Sequence, residues 1–148
     1  MSLKFIEPMY ARSVEKLPEG REWLYEIKLD GYRCLAGRDS KRVTSGHAEP
    51  TYLQPNSLGW LWPLKSLRPN TLIDGEIVAV YNDGRISFNL LQHHRSKTRA
   101  LQFYAFDVLI YRGRSLLRVP LQSRRQLLAE ELPMLSGCQR PLRRRRQI

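Results

Sequence analysis

A chain of 148 residues, 42% hydrophobic and 26% charged, is long enough for one domain with a sizeable core and ordinary for a soluble globular protein. A net charge of +11 favours polyanionic partners, nucleic acid above all, and stays clearly positive when the arginine-rich end (Arg140, Arg143, Arg144, Arg145 and Arg146) is set aside. No apolar run reaches the roughly 18 residues of a membrane span, no secretion signal opens the chain, and Cys34 and Cys138 suggest neither a disulfide framework nor a zinc site, so a reducing cytoplasm is the expected setting.

In chain order, residues 23–29 alternate as a strand. Trp23, Tyr25, Ile27 and Leu29 fall on one face, and Glu26, Lys28 and Asp30 on the other. Gly31 permits a tight turn, across which residues 33–38 are expected to pair with 23–29, and residues 41–45 extend that sheet. Four prolines break residues 50–70, where Trp60 and Trp62 read as packing a short element rather than stacking on bases. Residues 72–81 form the strongest predicted strand, followed by a hairpin turn at Asn82-Asp83-Gly84-Arg85. Asn89 is the expected cap of a short helix. Residues 101–111 read as another strand, and Pro120 precedes a helix over 121–132 with Leu121, Leu128 and Leu132 on one stripe. Strands followed by flanking helices predict an α+β domain with antiparallel sheets over residues 1–136. Residues 137–148 read as a basic tail without regular structure.

The polar face of the first strand carries the chemistry of interest. A free lysine amine, with a pKa near about 10.4, is a poor nucleophile at neutral pH. It becomes a good one only where a site lowers its pKa and aims it. Read from spacing alone, Glu26, Lys28 and Asp30 fit the solvated face of an edge strand better than a reactive site, since such alternation is the usual strand pattern. The chain has neither a Gly-x-x-x-x-Gly-Lys phosphate loop nor a Gly-x-Gly-x-x-Gly turn, so nucleotide binding would need another geometry.

The octapeptide Glu26-Ile27-Lys28-Leu29-Asp30-Gly31-Tyr32-Arg33 resembles the Lys-x-Asp-Gly-x-Arg signature of ATP-dependent DNA ligases, most closely bacterial ligases of the end-joining repair kind. Two further segments match in the same order. Leu72-Ile73-Asp74-Gly75-Glu76-Ile77-Val78 is similar to the family's second acidic motif, and Phe103-Tyr104-Ala105-Phe106-Asp107-Val108-Leu109 to its aromatic motif. Residues 120–132, with Arg124-Arg125 and Leu127-Leu128, also follow the family pattern. The resemblance implies a covalent nucleotidyltransferase (ATP-grasp-like) adenylation domain that uses ATP and Mg²⁺. It implies that Lys28 becomes linked to AMP, and that AMP then passes to a 5′-phosphate in nicked or broken double-stranded DNA, in DNA repair and recombination alongside other repair proteins. Glu26 is expected to contact adenine, Arg33 the ribose or nick-end side, Glu76 the ribose or the metal, and Phe106 to stack on adenine. Asp74 and Asp107 read as structural supports and Asp30 as shaping the turn. Without the resemblance, Glu26 and Arg33 read equally as solvated surface charges and Phe106 as core, whereas Asp74 and Glu76 on one strand face are an unusual pairing that favours a functional role for Glu76.

The departures are as informative. The family carries Ser-Arg after its third strand; here Val43-Thr44-Ser45-Gly46-His47 has no arginine after Ser45. Arg42 lies outside the pattern, and His47 offers a substitute donor or a loop histidine. The family's later Glu-Gly and lysine motifs, and the OB-fold domain that follows them, have no counterpart here. The expectation is an adenylation domain incomplete at its C-terminus, with the reading frame truncated or shifted near Ser136. Two functions follow: an active ligase adenylation domain, or a non-catalytic, basic nucleic-acid-binding remnant of one.

Overall fold

A computed structural model describes residues 3, 6–20, 23, 25–40, 43–47, 64–93, 101–131, 138–139 and 143–144. The strands are β1 (Tyr25–Glu26), β2 (Tyr32–Arg38), β3 (Val43–His47), β4 (Thr71–Ala79), β5 (Leu101–Tyr111), β6 (Arg114–Ser115), β7 (Cys138–Gln139) and β8 (Arg143–Arg144), and the helices are α1 (Phe88–Gln92) and α2 (Leu121–Glu131). The main sheet runs β3-β2-β4-β5-β6, antiparallel throughout, and β7 adds in parallel to β5. Trp60, Trp62 and Leu132 lie outside the described residues.

β4 is the centre of the sheet and is buried at eight of its nine positions. Its run of apolar residues suits a strand covered on both faces. On one face Phe103, Ile73, Ile77, Leu64, Leu67, Leu91 and Leu128 form the main core, with α1 and α2 contributing Leu91 and Leu128. On the other face Leu35, Leu72 and Leu109 pack with Leu3 and Ile6 of the N-terminal arm. Gly75 is required by this packing, because a Cβ there would lie 2.5 Å from Phe103 Cζ and 2.6 Å from the Tyr104 carbonyl. Cys34 is buried.

Most predicted elements recur, and the differences have physical causes. The strand expected over 23–29 is regular only at β1, which pairs with β8 and not with β2: Tyr25 faces Arg144 and Glu26 faces Arg143. Residues 27–30 are irregular, and Trp23 and Ile27 are about half exposed, so the apolar face of that alternation is not a core face. The edge of β2 that β1 was expected to fill is taken by β3, and its other edge by β4. Two dipeptides of the segment read as a tail, β7 and β8, pair with the sheets.

The predicted hairpin turn closes as expected. Val80 bridges Ile86, the Tyr81 N–H donates to the Arg85 carbonyl at 2.9 Å, and Gly84 sits at φ 85°, where a side chain would be strained. The cap of α1, however, is Ser87 and not Asn89. Ser87 has extended backbone, and its Oγ accepts from the Leu90 N–H at 3.1 Å. Asn89 lies inside the helix, where its carbonyl accepts from the His93 N–H at 3.0 Å.

The buried stripe of α2 is Arg124 and Leu128. Arg124 donates to both carboxylate oxygens of Asp107, at 2.8 and 2.7 Å, and to the Val119 carbonyl at 2.7 Å. At the helix's far end the Tyr111 hydroxyl donates to Glu131 at 2.7 Å. Both ends of α2 are thereby pinned to β5 by polar groups, a pattern that a search for apolar periodicity does not find.

Candidate active-site cleft

The two register shifts between β4 and β5 shape the site. Asp74 faces Asp107 and Gly75 faces Ala105, so Phe106 is an extra residue bulged out of β5; Leu109 is skipped in the same way between Ile73 and Leu72. A bulge re-aims a side chain and breaks strand alternation. Here it lets the adjacent residues Phe106 and Asp107 line the same cleft as Asp74 and Glu76, which share a face by their spacing of two.

That cleft has a volume of about 390 Å³. Glu26, Lys28, Arg33, Glu76 and Phe106, the five site residues expected from sequence, all line it, together with Asp74, Asp107 and Arg125. β1 and the irregular segment after it bring Glu26 and Lys28, β2 brings Arg33, β4 brings Glu76, and the bulge brings Phe106. His47 lies at the end of β3.

Gly31 fixes how the Lys28 segment sits. A Cβ at Gly31 would lie 2.2 Å from the Ile77 carbonyl, so the backbone rests directly on β4. The Gly31 N–H donates to the Glu76 carboxylate. Nucleophile candidate and carboxylate are therefore tied together through main chain, independent of the long lysine side chain.

Arg33 is gripped from three sides. Its Nε and an Nη donate to the two Asp74 oxygens at 2.7 and 2.6 Å, and the same Nη also donates to the Met9 carbonyl at 3.1 Å. Its guanidinium lies 4.5 Å from the centre of the Phe106 ring. Burial works against the charge on Arg33, but the Asp74 contacts outweigh it and hold the guanidinium firmly protonated. Burial likewise pushes the Asp74 carboxyl up, and Arg33 pulls it part of the way back. Across the strands Asp107 is paired with Arg124, so two carboxylates facing one another are each matched by an arginine from a different element. This network supports the expectation that Asp74 and Asp107 are structural.

Glu76 has no such arginine. Burial pushes its carboxyl above the ordinary value of 4.5, and the Gly31 N–H and the charges of Lys28 and Arg33 offset only part of that. A raised folded value means that Glu76 contributes stability at low pH and that this contribution is lost as pH rises through the raised value. Ionised Glu76 is thus a cost at neutral pH. The Glu76→Gln variant is expected to melt above the parent at pH 7, with the gap closing as pH falls below about 4.5. Paired thermal melts across that range check it, and a variant that melts lower at pH 7 would show that Glu76 is not strained by burial.

Arg125 is the functional candidate that sequence reasoning left without a role. It donates to both oxygens of Glu26, at 2.7 and 2.8 Å, across 99 positions of sequence. Its own Nε is buried with no hydrogen-bond partner. The only sequence signal was the Arg124-Arg125 dipeptide, which by itself reads as a solvated helix face.

Among the described residues no group of three or more His, Cys, Asp or Glu side chains is arranged to hold a metal. Mg²⁺ binds through one or two carboxylates plus substrate phosphates, so it does not need such a cage, and half-buried Glu76 is the donor that fits. No helix among the described residues is long and apolar enough to cross a membrane.

The curled antiparallel sheet, with one cleft gathering a lysine, acidic groups and an aromatic ring, is the architecture of a ligase nucleotidyltransferase domain. It superposes on the ligase domain of Mycobacterium tuberculosis LigD with a TM-score of 0.71 and 30% identity, covering 82% of this chain and 40% of that one. A mycobacterial DNA ligase D complexed with ATP and MES matches with a TM-score of 0.64 and 29% identity, over 81% of this chain and 39% of that one. The family model for the ATP-dependent DNA ligase domain matches residues 8–144, and the chain belongs to that family. The multifunctional non-homologous end joining protein LigD of Pseudomonas aeruginosa is 33% identical over 135 residues, spanning 84% of this chain and 15% of LigD. DNA ligase C1 of Mycolicibacterium smegmatis is also 33% identical, over 90% of this chain and 42% of its own length. The chain therefore spans less than half the length of these relatives.

Proposed function

We propose that this chain is the nucleotide-binding part of a DNA ligase adenylation domain, with Lys28 as the nucleophile in ATP-dependent nick sealing. The observation that carries the reading is the convergence of Lys28, Glu26, Arg33, Glu76 and Phe106 on one cleft. In the reaction, Lys28 Nζ attacks the α-phosphorus of ATP, a P–N bond forms, the bond to the β-phosphate oxygen breaks, and pyrophosphate leaves. The lysine loses a proton in the process. AMP then passes from Lys28 to the 5′-phosphate at a DNA break, and the 3′-hydroxyl displaces it. These are in-line transfers at phosphorus, in which positioning and charge neutralisation dominate.

Phe106 offers its ring to the purine, and Arg33, locked to Asp74, presents a fixed positive charge on the floor of the cleft. The main-chain tie through Gly31 sets Lys28 beside Glu76. Glu76 would hold Mg²⁺, which when bound with ATP neutralises the triphosphate charge. The test is self-adenylation: purified chain incubated with α-labelled ATP and Mg²⁺ is expected to acquire label that survives denaturation. No label, with no ATP bound, would leave a basic nucleic-acid-binding remnant as the function.

The DNA partner has support in a basic corner away from the cleft. Lys65, Arg68, Arg112, Arg114 and Arg118 are exposed, and no carboxylate occurs between Val108 and Ala129. The Gly113 N–H donates to the Asn70 carbonyl at 2.7 Å, holding the two turns that carry these cations side by side. Contacts of this kind with phosphates release counterions and are insensitive to sequence. Replacing Arg112, Arg114 and Arg118 together with alanine is expected to lower the salt slope for nicked duplex by about 2.7, at about 0.9 per lost contact, while self-adenylation persists. An unchanged slope would place the DNA elsewhere.

A further inference from the structure

The β5–β6 hairpin breaks a local rule. Tyr111 pairs with Arg114, which leaves Arg112 and Gly113 as a two-residue turn. Both have positive φ, at 51° and 84°, the signature of a type I′ turn. Asn-Gly or Asp-Gly fills such a turn with least strain, because a bulky L side chain is disfavoured in the left-handed region. The hairpin at residues 82–85 follows that chemistry, with Asp83 ahead of a left-handed Gly84. In the β5–β6 turn an arginine stands where asparagine would be less strained.

The surroundings hold that arginine in place. The Gly113 N–H donates to the Asn70 carbonyl at 2.7 Å, and the Arg112 N–H donates to Oγ1 of buried Thr71 at 3.3 Å. Asn70 is itself left-handed, at φ 57°, so two residues in the disfavoured region meet at one corner. Strain of this kind persists only where neighbours impose it, and it collects at functional sites. What it delivers here is an exposed arginine at the tip of the turn, with exposed Arg114 beside it. The charge of Arg68 reaches the same corner, since it and Arg112 both act on the Tyr111 hydroxyl. Glu131, the acid at this corner, accepts from that hydroxyl at 2.7 Å.

We propose that Arg112 is a phosphate anchor for duplex DNA, kept in a left-handed turn at a cost in stability because the turn aims its guanidinium at one backbone phosphodiester. The inference rests on the reading of this corner as the DNA-binding surface, and it names the residue on which that surface is built. A guanidinium offers phosphate a charge and a planar fork, which the better turn formers asparagine and glycine lack. The contact reads no base and lies away from the cleft, so it serves intact and nicked duplex alike. A charge that only guarded the edge of β6 against pairing with another chain would leave DNA binding unchanged.

Three substitutions separate strain from charge. Arg112→Asn removes both, Arg112→Ala removes the charge and keeps most of the strain, and Arg112→Lys keeps both. Thermal midpoints are measured for each full chain, together with binding to intact and to nicked oligonucleotide duplexes over a range of salt concentrations. Arg112→Asn is expected to raise the midpoint by about 2–4 °C. The same variant is expected to lower the salt slope by about 0.9 on both duplexes. Arg112→Ala is expected to lose the same slope without the rise in midpoint, and Arg112→Lys to stay near the parent in both. A midpoint gained at unchanged slope overturns the proposal. A loss confined to the nicked duplex overturns it as well, as does an Arg112→Asn chain that melts no higher than the parent. In each of these cases a parent with salt-dependent binding keeps DNA as the partner. A parent that binds neither duplex overturns this proposal and the DNA-binding reading of the corner together.

Discussion

Lys28→Ala is expected to remove all covalent label from the protein while ATP binding weakens by less than about tenfold. The reasoning separates binding from bond formation. Phe106, Glu26 and Arg33 line the cleft independently of Lys28, and Arg33 is held by Asp74 and the Met9 carbonyl, so the nucleotide's contacts outlast the lysine. Among the described residues of the lining the P–N bond has no other donor, because the arginines cannot lose a proton under these conditions. Lys28→Arg sharpens the test, since it keeps a positive charge and still lacks a nucleophilic amine. Label retained on either variant, or mapped by mass spectrometry to another lysine, would sink the assignment of Lys28.

Arg124→Met is expected to cost about 3–5 kcal/mol, the range for removing one member of a buried ion pair. Arg124 and Asp107 are 9% and 8% exposed, and three hydrogen bonds of the guanidinium would vanish with it. Asp107 would then be buried without its arginine, directly across from Asp74. Against a total stability of about 5–15 kcal/mol, that is enough to unfold part of the population at ambient temperature. A double variant, Arg124→Met with Asp107→Leu, is expected to recover much of the loss, because the penalty lies in the orphaned charge rather than in the missing attraction. Urea unfolding midpoints at unchanged slope measure both. A loss below about 1 kcal/mol in Arg124→Met would show that Asp107 stays solvated and that the pair is ornamental to folding.

The parts of the fold that were legible in sequence are those set by local patterning. β4 and β5 stand out because β-branched and aromatic residues dominate them, and the hairpin at Asn82–Arg85 is marked by its own turn chemistry. The gathering of Lys28, Arg33, Glu76 and Phe106 was legible only through the ordered motifs. No periodicity in the chain announces that a bulge at Phe106 breaks the strand's alternation. Long-range choices were not legible. Nothing local tells β1 to pair with β8 instead of β2, and nothing in Arg124-Arg125 says that one side chain is buried against Asp107 while its neighbour crosses to Glu26. Ser87 and Asn89 both suit a cap by residue type, and the extended backbone at Ser87 decides between them.

The pairing of β1 with β8 also imposes an order in time. Among the described residues the strand that leads into Lys28 pairs with Arg143 and Arg144, while β2, β3, β4 and β5 find partners earlier in the chain. At about 5–20 residues per second on a ribosome, the segment around Lys28 waits about 6–24 s for that partner to be made. The main sheet can therefore form before the strand ahead of Lys28 gains its partner. Throughout that interval the nascent chain presents Trp23 and Ile27 beside an unpaired strand, the kind of surface that chaperones shield.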